Sequence, residues 1–152
     1  MLIAYLADHP QHLKTVAAWL YNEWGRHNPE SSLEKIEARL GGHLNRDAMP
    51  MTLIALDGER PVGTAALQAS DMSTRRELTP WLAAVYVDPE HRNRGAGSEL
   101  VRAVEAEARK LGIQRLYLFT PDRDQFYTRL GWRVLENTEY RSKQVVIMDK
   151  ML

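Results

Sequence analysis

The chain has 152 residues, of which 44% are hydrophobic and 26% charged, a composition typical of one globular domain spanning residues 1–152. Its twenty basic and twenty acidic side chains cancel, which argues against a protein whose main partner is a nucleic acid. Because the chain contains no cysteine, disulfides, thiolate metal sites and cysteine nucleophiles are excluded.

The N-terminal residues have the features of neither a signal peptide nor a membrane anchor. Residues 2–7 are apolar, but no basic residue precedes them and the apolar stretch ends at Asp8. No other apolar run approaches the roughly 18 residues of a membrane span. The five histidines lack metal-ligand spacing, so we expect them at the surface or in turns and expect no bound metal. The sequence thus predicts a cytoplasmic protein with no membrane partner and no nucleic-acid partner.

The first half of the chain predicts one strand, two helices and a hairpin. Residues 2–7 form the strand, and Pro10 then opens a helix with one apolar stripe as far as Trp24. Ser31 and Glu34 have the spacing of a capping box, which starts a second amphipathic helix reaching about Leu44. MTLIALD and PVGTAALQA then flank an Asp-Gly turn, which predicts two antiparallel strands.

After a polar loop at 71–80, the second half predicts a β–α–β unit. Residues 81–87, WLAAVYV, are apolar throughout, as in a strand buried on both faces. A helix at 95–111 follows, with Glu105 and Arg109 paired on its exterior, and a strand at 113–119 lies parallel to the first. A short helix at 121–130 and two strands complete the chain. The predicted fold class is α/β (α+β), a mixed twisted sheet of about seven strands flanked by about four helices.

The segment DPEHRNRGAGSEL, residues 88–100, joins the 81–87 strand to that helix. A helix that begins near Gly95 leaves its first N–H groups without intrahelical acceptors, and these groups form an anion site with the helix dipole. Gly95 and Gly97 let a bulky anion lie on the backbone, while Arg92, Arg94 and Ser98 add charge and a hydroxyl. The segment has neither the Walker A pattern nor the Rossmann fingerprint. An ordinary strand-to-helix turn is the alternative reading.

Residues 92–97 match the pattern (Q/R)-x-x-G-x-(G/A), with LAAVYVDPEHR leading into it and QFYTRLGW after it. In this order and spacing the chain resembles the GNAT superfamily of acetyl-CoA-dependent N-acetyltransferases, and the likeness covers essentially the whole domain. Asn93 and Ala96 depart from the glycine and the larger aliphatic residue of many members. Thr120 replaces an asparagine that contacts the pantetheine arm in many members.

The resemblance implies acetyl-CoA as co-substrate, held between a splayed pair of parallel central strands. The pantetheine arm would bind along the backbone of the strand before the turn, at Val85, Tyr86 and Val87. The pyrophosphate would lie on the turn itself, at Arg92, Asn93, Arg94, Gly95, Ala96, Gly97 and Ser98. A substrate amine would attack the thioester directly, and Tyr127 would protonate the leaving thiolate, since a phenol stays protonated at neutral pH. Bracing of the short helix is the alternative role for Tyr127.

The acceptor implied by the resemblance is a primary amine of a small molecule or a peptide. Its candidate site residues are Trp24, Asp71, Glu77 and Trp81. Asp71 and Glu77 are also the nearest candidates for the base, since the 81–87 strand has no carboxylate, and a chain of waters to solvent is an equal alternative. Solvated loop charge is the other reading of both carboxylates. The same missing carboxylate favours a second hypothesis, a non-catalytic acyl-CoA-binding or regulatory module. A homodimer is left open.

Overall fold

A computed structural model describes all residues, 1–152, and contains one sheet of seven strands with four α-helices. The strands are β1 (Leu2–Tyr5), β2 (Met51–Asp57), β3 (Arg60–Gln68), β4 (Trp81–Val87), β5 (Arg115–Thr120), β6 (Arg133–Tyr140) and β7 (Lys143–Met151). The helices are α1 (Leu13–Glu23), α2 (Leu33–Gly41), α3 (Ala96–Lys110) and α4 (Asp124–Arg129). Short 3₁₀ turns occupy Leu6–Asp8, Pro10–His12, Gly25–His27 and Pro89–His91.

The strand order is β1-β2-β3-β4-β5-β7-β6. β4 and β5 form the parallel pair, joined through α3, and all other neighbouring strands are antiparallel. The predicted mixed sheet with one β–α–β unit is therefore confirmed. None of the helices combines the length and the apolar character needed to cross a membrane.

The alternation of side chains along β2 divides the core between the two faces of the sheet. Leu53 and Ala55 belong to the cluster that includes α3, whereas Ile54 and Leu56 belong to the cluster that includes α1 and α2. The buried residues that the helices add are Leu100, Val101, Val104 and Ala108 from α3, and Val16, Ala17, Leu20, Ile36 and Leu40 from α1 and α2. α1 and α2 thus cover one face of the sheet and α3 covers the other.

Three details of the second helix and its surroundings differ from the prediction. Ser32 rather than Ser31 is the N-cap of α2, because its Oγ accepts a hydrogen bond of 3.1 Å from the backbone N–H of Lys35. α2 ends at Gly41, short of the predicted Leu44. His43 just beyond it is buried rather than exposed, and its Nδ1 lies 3.0 Å from Thr52 Oγ1. Burial is the main reason that the pKa of His43 is lowered.

Glu105 of α3 is buried, which corrects the predicted exterior pair with Arg109. Only 2% of the residue is exposed, and its carboxylate accepts hydrogen bonds from Trp132 Nε1 at 3.2 Å and Lys150 Nζ at 2.8 Å. The Arg109 guanidinium is more distant, at 3.8 Å. Lys150 lies on β7, so the ion pair between Glu105 and Lys150 connects α3 to β7.

Replacing Lys150 with Met should destabilise the fold by about 3 kcal/mol, because the buried Glu105 carboxylate then loses its charged partner. Arg109→Met is the matched control, since it removes the exposed partner of the same carboxylate, and its effect should stay within about 0.5 kcal/mol. Urea denaturation of both variants measures the difference in free energy of unfolding. Equal effects of the two substitutions would contradict the assignment of Lys150 as the partner that holds Glu105.

Candidate active site

A bulge in the middle of β4 changes the direction in which this strand continues. Two residues, Ala84 and Val85, separate Ala83 from Tyr86 on β4, whereas one residue separates their partners Ala66 and Thr64 on β3. β4 therefore contains one extra residue at this point. Ala84 within the bulge has φ of +54°, an uncommon conformation for a residue with a side chain. The bulge increases the local twist, so the two halves of β4 follow different directions.

β4 and β5 separate beyond their first paired position. Trp81 opposite Tyr117 is the one pair in register, and the Tyr117 N–H donates to the carbonyl of Pro80 at 3.1 Å. The backbone of β4 beyond the bulge has no partner on β5, and this stretch contains Val85, Tyr86 and Val87. The result is a cleft between two parallel strands, in which the β5-facing side of β4 has no strand partner.

Two residues in the left-handed region shape the turn from β4 into α3. Asn93 has φ of +64° and Gly95 has φ of +87°. Asparagine tolerates this conformation better than most residues, so Asn93 preserves the turn at a place where many GNAT members carry glycine. Gly95 is the N-cap, and no side chain caps α3. The N–H groups of the first helical turn, Ala96 to Ser98, therefore remain available to an anion at the positive end of the helix.

The turn lies against α4. A Cβ added at Gly97 would be 3.4 Å from Phe126 Cζ and 3.8 Å from Val87 Cγ2. Phe126 directly precedes Tyr127, so α4 brings Tyr127 close to the same end of the cleft. Ala96, the other small residue of the turn, is 2% exposed and packs beneath it.

The two arginines of the turn differ in their surroundings. Arg92 Nε donates to the carbonyl of Val87 at 2.9 Å, and its guanidinium lies 5.5 Å from the centre of the Tyr86 ring. Arg94 is exposed and makes neither an ion pair nor a side-chain hydrogen bond within the protein. Arg92 therefore braces the end of β4, while Arg94 is the free cation of the turn.

Tyr127 is buried in the core beneath the cleft, with its ring 5.0 Å from Phe126 and 6.2 Å from Trp132, both edge to face. Its hydroxyl forms no hydrogen bond within the protein, although buried tyrosines usually have a partner. Burial raises the pKa of Tyr127 to about 12, while the Arg123 charge acts in the opposite direction. The phenol thus keeps its proton at physiological pH and has no internal acceptor for it.

At the opposite end of β4, a cavity of about 670 Å³ is formed by the end of β3, the loop before β4, the last turn of α2 and the β6–β7 hairpin. Asp71 contributes the one carboxylate among its ten lining residues. Gln68 Nε2 donates to Asp71 Oδ1 at 3.3 Å. Burial raises the pKa of Asp71 to about 7, while Arg39 and Arg141 act in the opposite direction. Asp71 therefore keeps its proton to a higher pH than an ordinary aspartate does.

The other predicted acceptor residues do not line this cavity. Glu77 is exposed on the 71–80 loop. Trp24 is 45% exposed and lies edge-on 6.4 Å from Tyr86, at the other half of β4. Trp81 is fully buried, and its indole N–H donates to the carbonyl of Leu78 at 2.6 Å. Trp81 offers no surface to an acceptor in this conformation and serves as a packing residue behind the cavity.

Three arginines around the cavity carry no sequence signal that would have identified them. Arg39 stands in the last turn of α2, Arg76 in the 71–80 loop, and Arg141 at the tip of the β6–β7 hairpin. Arg141 and Ser142 have φ of +50° and +65°, as in a two-residue hairpin turn, which fixes the position of Arg141. Only the tertiary fold brings these three segments together. No group of three or more His, Cys, Asp or Glu side chains has a metal-binding arrangement.

Comparison with known proteins identifies the family to which the chain belongs. The family model described as "Acetyltransferase (GNAT) family" matches residues 13–132, and the chain belongs to this family of acetyltransferases. The family and the fold expected from the sequence are thereby confirmed, and with them the class of acyltransferase enzymes.

Individual relatives show how far the similarity extends. The chain is 29% identical over 131 residues to "N-alpha-acetyltransferase 80" of Mus musculus, covering 84% of this chain and 40% of that protein. It is 34% identical over 85 residues to "Amino-acid acetyltransferase" of Aeromonas salmonicida (strain A449), covering 56% of this chain and 18% of that protein. The chain thus spans less than half the length of these curated relatives.

A solved structure of an aminoglycoside 6'-N-acetyltransferase complexed with coenzyme A superposes with a TM-score of 0.78 at 18% identity. The superposition covers 99% of this chain and 97% of that one. At this level of identity the likeness establishes the fold. The bound coenzyme A of that neighbour and the family match both agree with acetyl-CoA as the co-substrate expected here.

Proposed function

We propose that the protein transfers an acetyl group from acetyl-CoA to a primary amine by direct attack, with the cofactor in the cleft between β4 and β5. The observation that carries this proposal is that three features meet at the end of β4. These are the uncapped start of α3, the side of β4 that has no partner on β5 beyond the bulge, and α4, which carries Tyr127 and packs against the same turn.

The residues of the turn fit the pyrophosphate. Free N–H groups at Ala96, Gly97 and Ser98 would donate to its oxygens, Arg94 would add a positive charge, and Gly97 leaves the backbone accessible. The β5-facing side of the backbone at Val85, Tyr86 and Val87 would hydrogen-bond the pantetheine arm like an added strand. The N–H groups of the same strand near the bulge would stabilise the oxyanion that forms on the thioester carbonyl.

Two side chains would move the protons. Asp71 accepts one proton from the incoming ammonium group, directly or through water, and the neutral nitrogen then forms a bond to the thioester carbon. The carbon–sulfur bond breaks as the carbonyl re-forms, and Tyr127 gives its proton to the leaving sulfur. The nitrogen loses its second proton, which returns the phenol to its neutral state through solvent. The products are the N-acetylated amine, coenzyme A and one released proton.

The choice of Asp71 over Glu77 rests on its surroundings. A general base works best when its pKa lies near the operating pH, and the pKa of Asp71 is about 7. Asp71 also lines the cavity at the end of β4 from which an acceptor would approach, whereas Glu77 is exposed outside it. A printed name such as "N-alpha-acetyltransferase 80" supports an amine acceptor but does not select its chemical class.

The proposal is tested by following thiol release from acetyl-CoA with and without a panel of amino acids, peptides and polyamines. We expect release that depends on both acetyl-CoA and an amine, with no acetylated protein trapped when the amine is omitted. Coenzyme A binding without amine-dependent release would favour a non-catalytic acyl-CoA-binding module instead.

Asp71→Asn should abolish the ascending limb of the pH–rate profile near pH 7, because an amide cannot accept the proton. The fall in kcat should be about 10²-fold or more at pH 7. Glu77→Gln is the matched control and should leave the profile unchanged. If the two variants behave alike, solvent rather than Asp71 removes the proton.

The raised pKa of Asp71 can also be checked through stability. A carboxyl whose pKa is raised on folding supports the folded state most below its unfolded pKa and loses that contribution as pH rises through about 7. The melting temperature of Asp71→Asn should therefore rise relative to wild type between about pH 4 and pH 7, the range between the unfolded and folded pKa values. A constant difference would show that Asp71 titrates in its ordinary range.

A further inference from the structure

The cavity next to Asp71 has an unusual balance of charge for an enzyme that would accept a cationic amine. Arg39, Arg76 and Arg141 line it, together with the single carboxylate of Asp71. At neutral pH the cavity thus carries three positive charges and at most one negative charge. Such a lining repels polycations and attracts anions.

None of these three guanidiniums is neutralised by the protein itself. The neighbouring Arg75 is bound to Glu136, with its Nη2 2.6 Å from Glu136 Oε2, but Arg39, Arg76 and Arg141 form no ion pair and no side-chain hydrogen bond. The one specific contact among them is that of Arg141, whose guanidinium lies 5.0 Å from the centre of the Tyr140 ring. All three therefore have donors free for a ligand.

This cavity is separate from the place where the pyrophosphate of acetyl-CoA would bind. It adjoins Gln68, which pairs with Trp81 at the start of β4, whereas the uncapped turn follows Val87 at the end of β4. Six residue steps of strand span about 20 Å, so one pyrophosphate cannot contact both. The bulge at Ala84 lies between the two ends, about 10 Å from Trp81. A small acceptor in the cavity could thus present its amine toward the cleft.

We propose, resting on the acetyltransferase function proposed above, that the acceptor is a small amine that also carries oxyanion groups, which Arg39, Arg76 and Arg141 bind. The planar fork of arginine matches both carboxylate and phosphate, and three separate guanidiniums suit an acceptor with more than one such oxygen pair. Asp71 then faces the amine and the arginines face the anionic part. Amino acids and short acidic peptides have this chemistry, as do small phosphorylated amines, whereas polyamines do not.

A matched pair of probes separates this proposal from a general affinity for amines. Alanylglutamate carries two carboxylates, and alanylglutaminamide replaces both with neutral amides of nearly the same shape. Calorimetry on the protein saturated with coenzyme A should show that the dicarboxylate binds about ten-fold or more tightly than the diamide, with salt weakening only the former. Phosphoethanolamine serves as the phosphate arm, and its tighter binding would identify phosphate as the preferred oxyanion.

Variants then locate the binding. Arg76→Gln and Arg141→Gln should each weaken dicarboxylate binding by about five-fold, because these exposed guanidiniums are partly screened, and the double variant by about twenty-fold. Diamide binding should not change. Arg102→Gln, which removes an exposed arginine of α3 outside the cavity, is the control and should have no effect.

Turnover distinguishes failure of this inference from failure of the acetyltransferase function. Acetylation of spermidine or the diamide at least as efficiently as the dicarboxylate would overturn the inference while leaving the acetyltransferase function intact. The same holds if binding of the two dipeptides is equal or insensitive to the arginine substitutions. Selective dicarboxylate binding without any acetylation would instead reject the acetyltransferase function and leave the cavity as an anion site.

Discussion

Tyr127→Phe should lower the rate of acetyl transfer by about 10²–10⁴-fold, the usual contribution of a general acid. The substitution removes one hydroxyl proton and keeps the ring, which packs against Phe126 and Trp132. Because the hydroxyl has no hydrogen-bond partner within the protein, the melting temperature and the affinity for coenzyme A should change little. Stopped-flow measurement of acetyl transfer at saturating acetyl-CoA isolates the chemical step.

The competing role for Tyr127 is that of a brace for α4. That role predicts lower stability with normal activity for each folded molecule, and comparison of kcat with thermal unfolding separates the two. An unchanged rate in Tyr127→Phe would remove this residue from the mechanism.

Gly97→Glu should weaken coenzyme A binding by more than about 100-fold, because it adds a side chain and a negative charge where the pyrophosphate would lie. The fold should survive, since a Cβ at Gly97 meets Phe126 at an ordinary contact distance of 3.4 Å. Calorimetric titration with coenzyme A at two salt concentrations measures both the loss and the electrostatic part of the affinity.

Two controls accompany this variant. Ala106→Glu adds the same charge on an exposed position of α3 and should leave the affinity unchanged. Gly97→Ala adds only the Cβ, so its smaller effect isolates the steric contribution. Unchanged affinity in a folded Gly97→Glu variant would show that the pyrophosphate does not bind at this turn.

The parts of the fold and site that the sequence predicts are those encoded within short segments. The turn before α3 lies within thirteen residues, and its glycines, arginines and following apolar stripe are all visible locally. The strand and helix order likewise follows from periodicity, because each element shows its own buried face. The predicted N-cap of α2, Ser31, is one position from the observed N-cap, Ser32, because two adjacent serines offer the same capping group.

The parts that the sequence does not predict depend on residues far apart in the chain. Burial of Glu105 becomes apparent only when Lys150, 45 residues later, is brought beside it. Asp71 is identifiable as a candidate from its place in the loop, but its raised pKa depends on burial within the folded chain. The arginine-lined cavity draws on α2, a loop and a hairpin, so no local pattern could reveal it.

The two ends of β4 lie next to two different sites for anions, the uncapped start of α3 and the arginine-lined cavity. We propose that one end would bind the anionic part of the cofactor through backbone N–H groups, and that the other would bind the anionic part of the acceptor through arginine side chains. The amine and the thioester would then meet between them, near the bulge. Such an arrangement uses binding energy from remote parts of both substrates to position the reacting atoms.

A crystal structure of the protein with acetyl-CoA would show directly where the cofactor binds. We expect pyrophosphate oxygens to accept hydrogen bonds from the N–H groups of the turn before α3. We also expect Tyr127 Oη within about 3.5 Å of the cofactor sulfur. Acetyl-CoA bound elsewhere, or a Tyr127 hydroxyl directed away from the sulfur, would contradict the proposed mechanism.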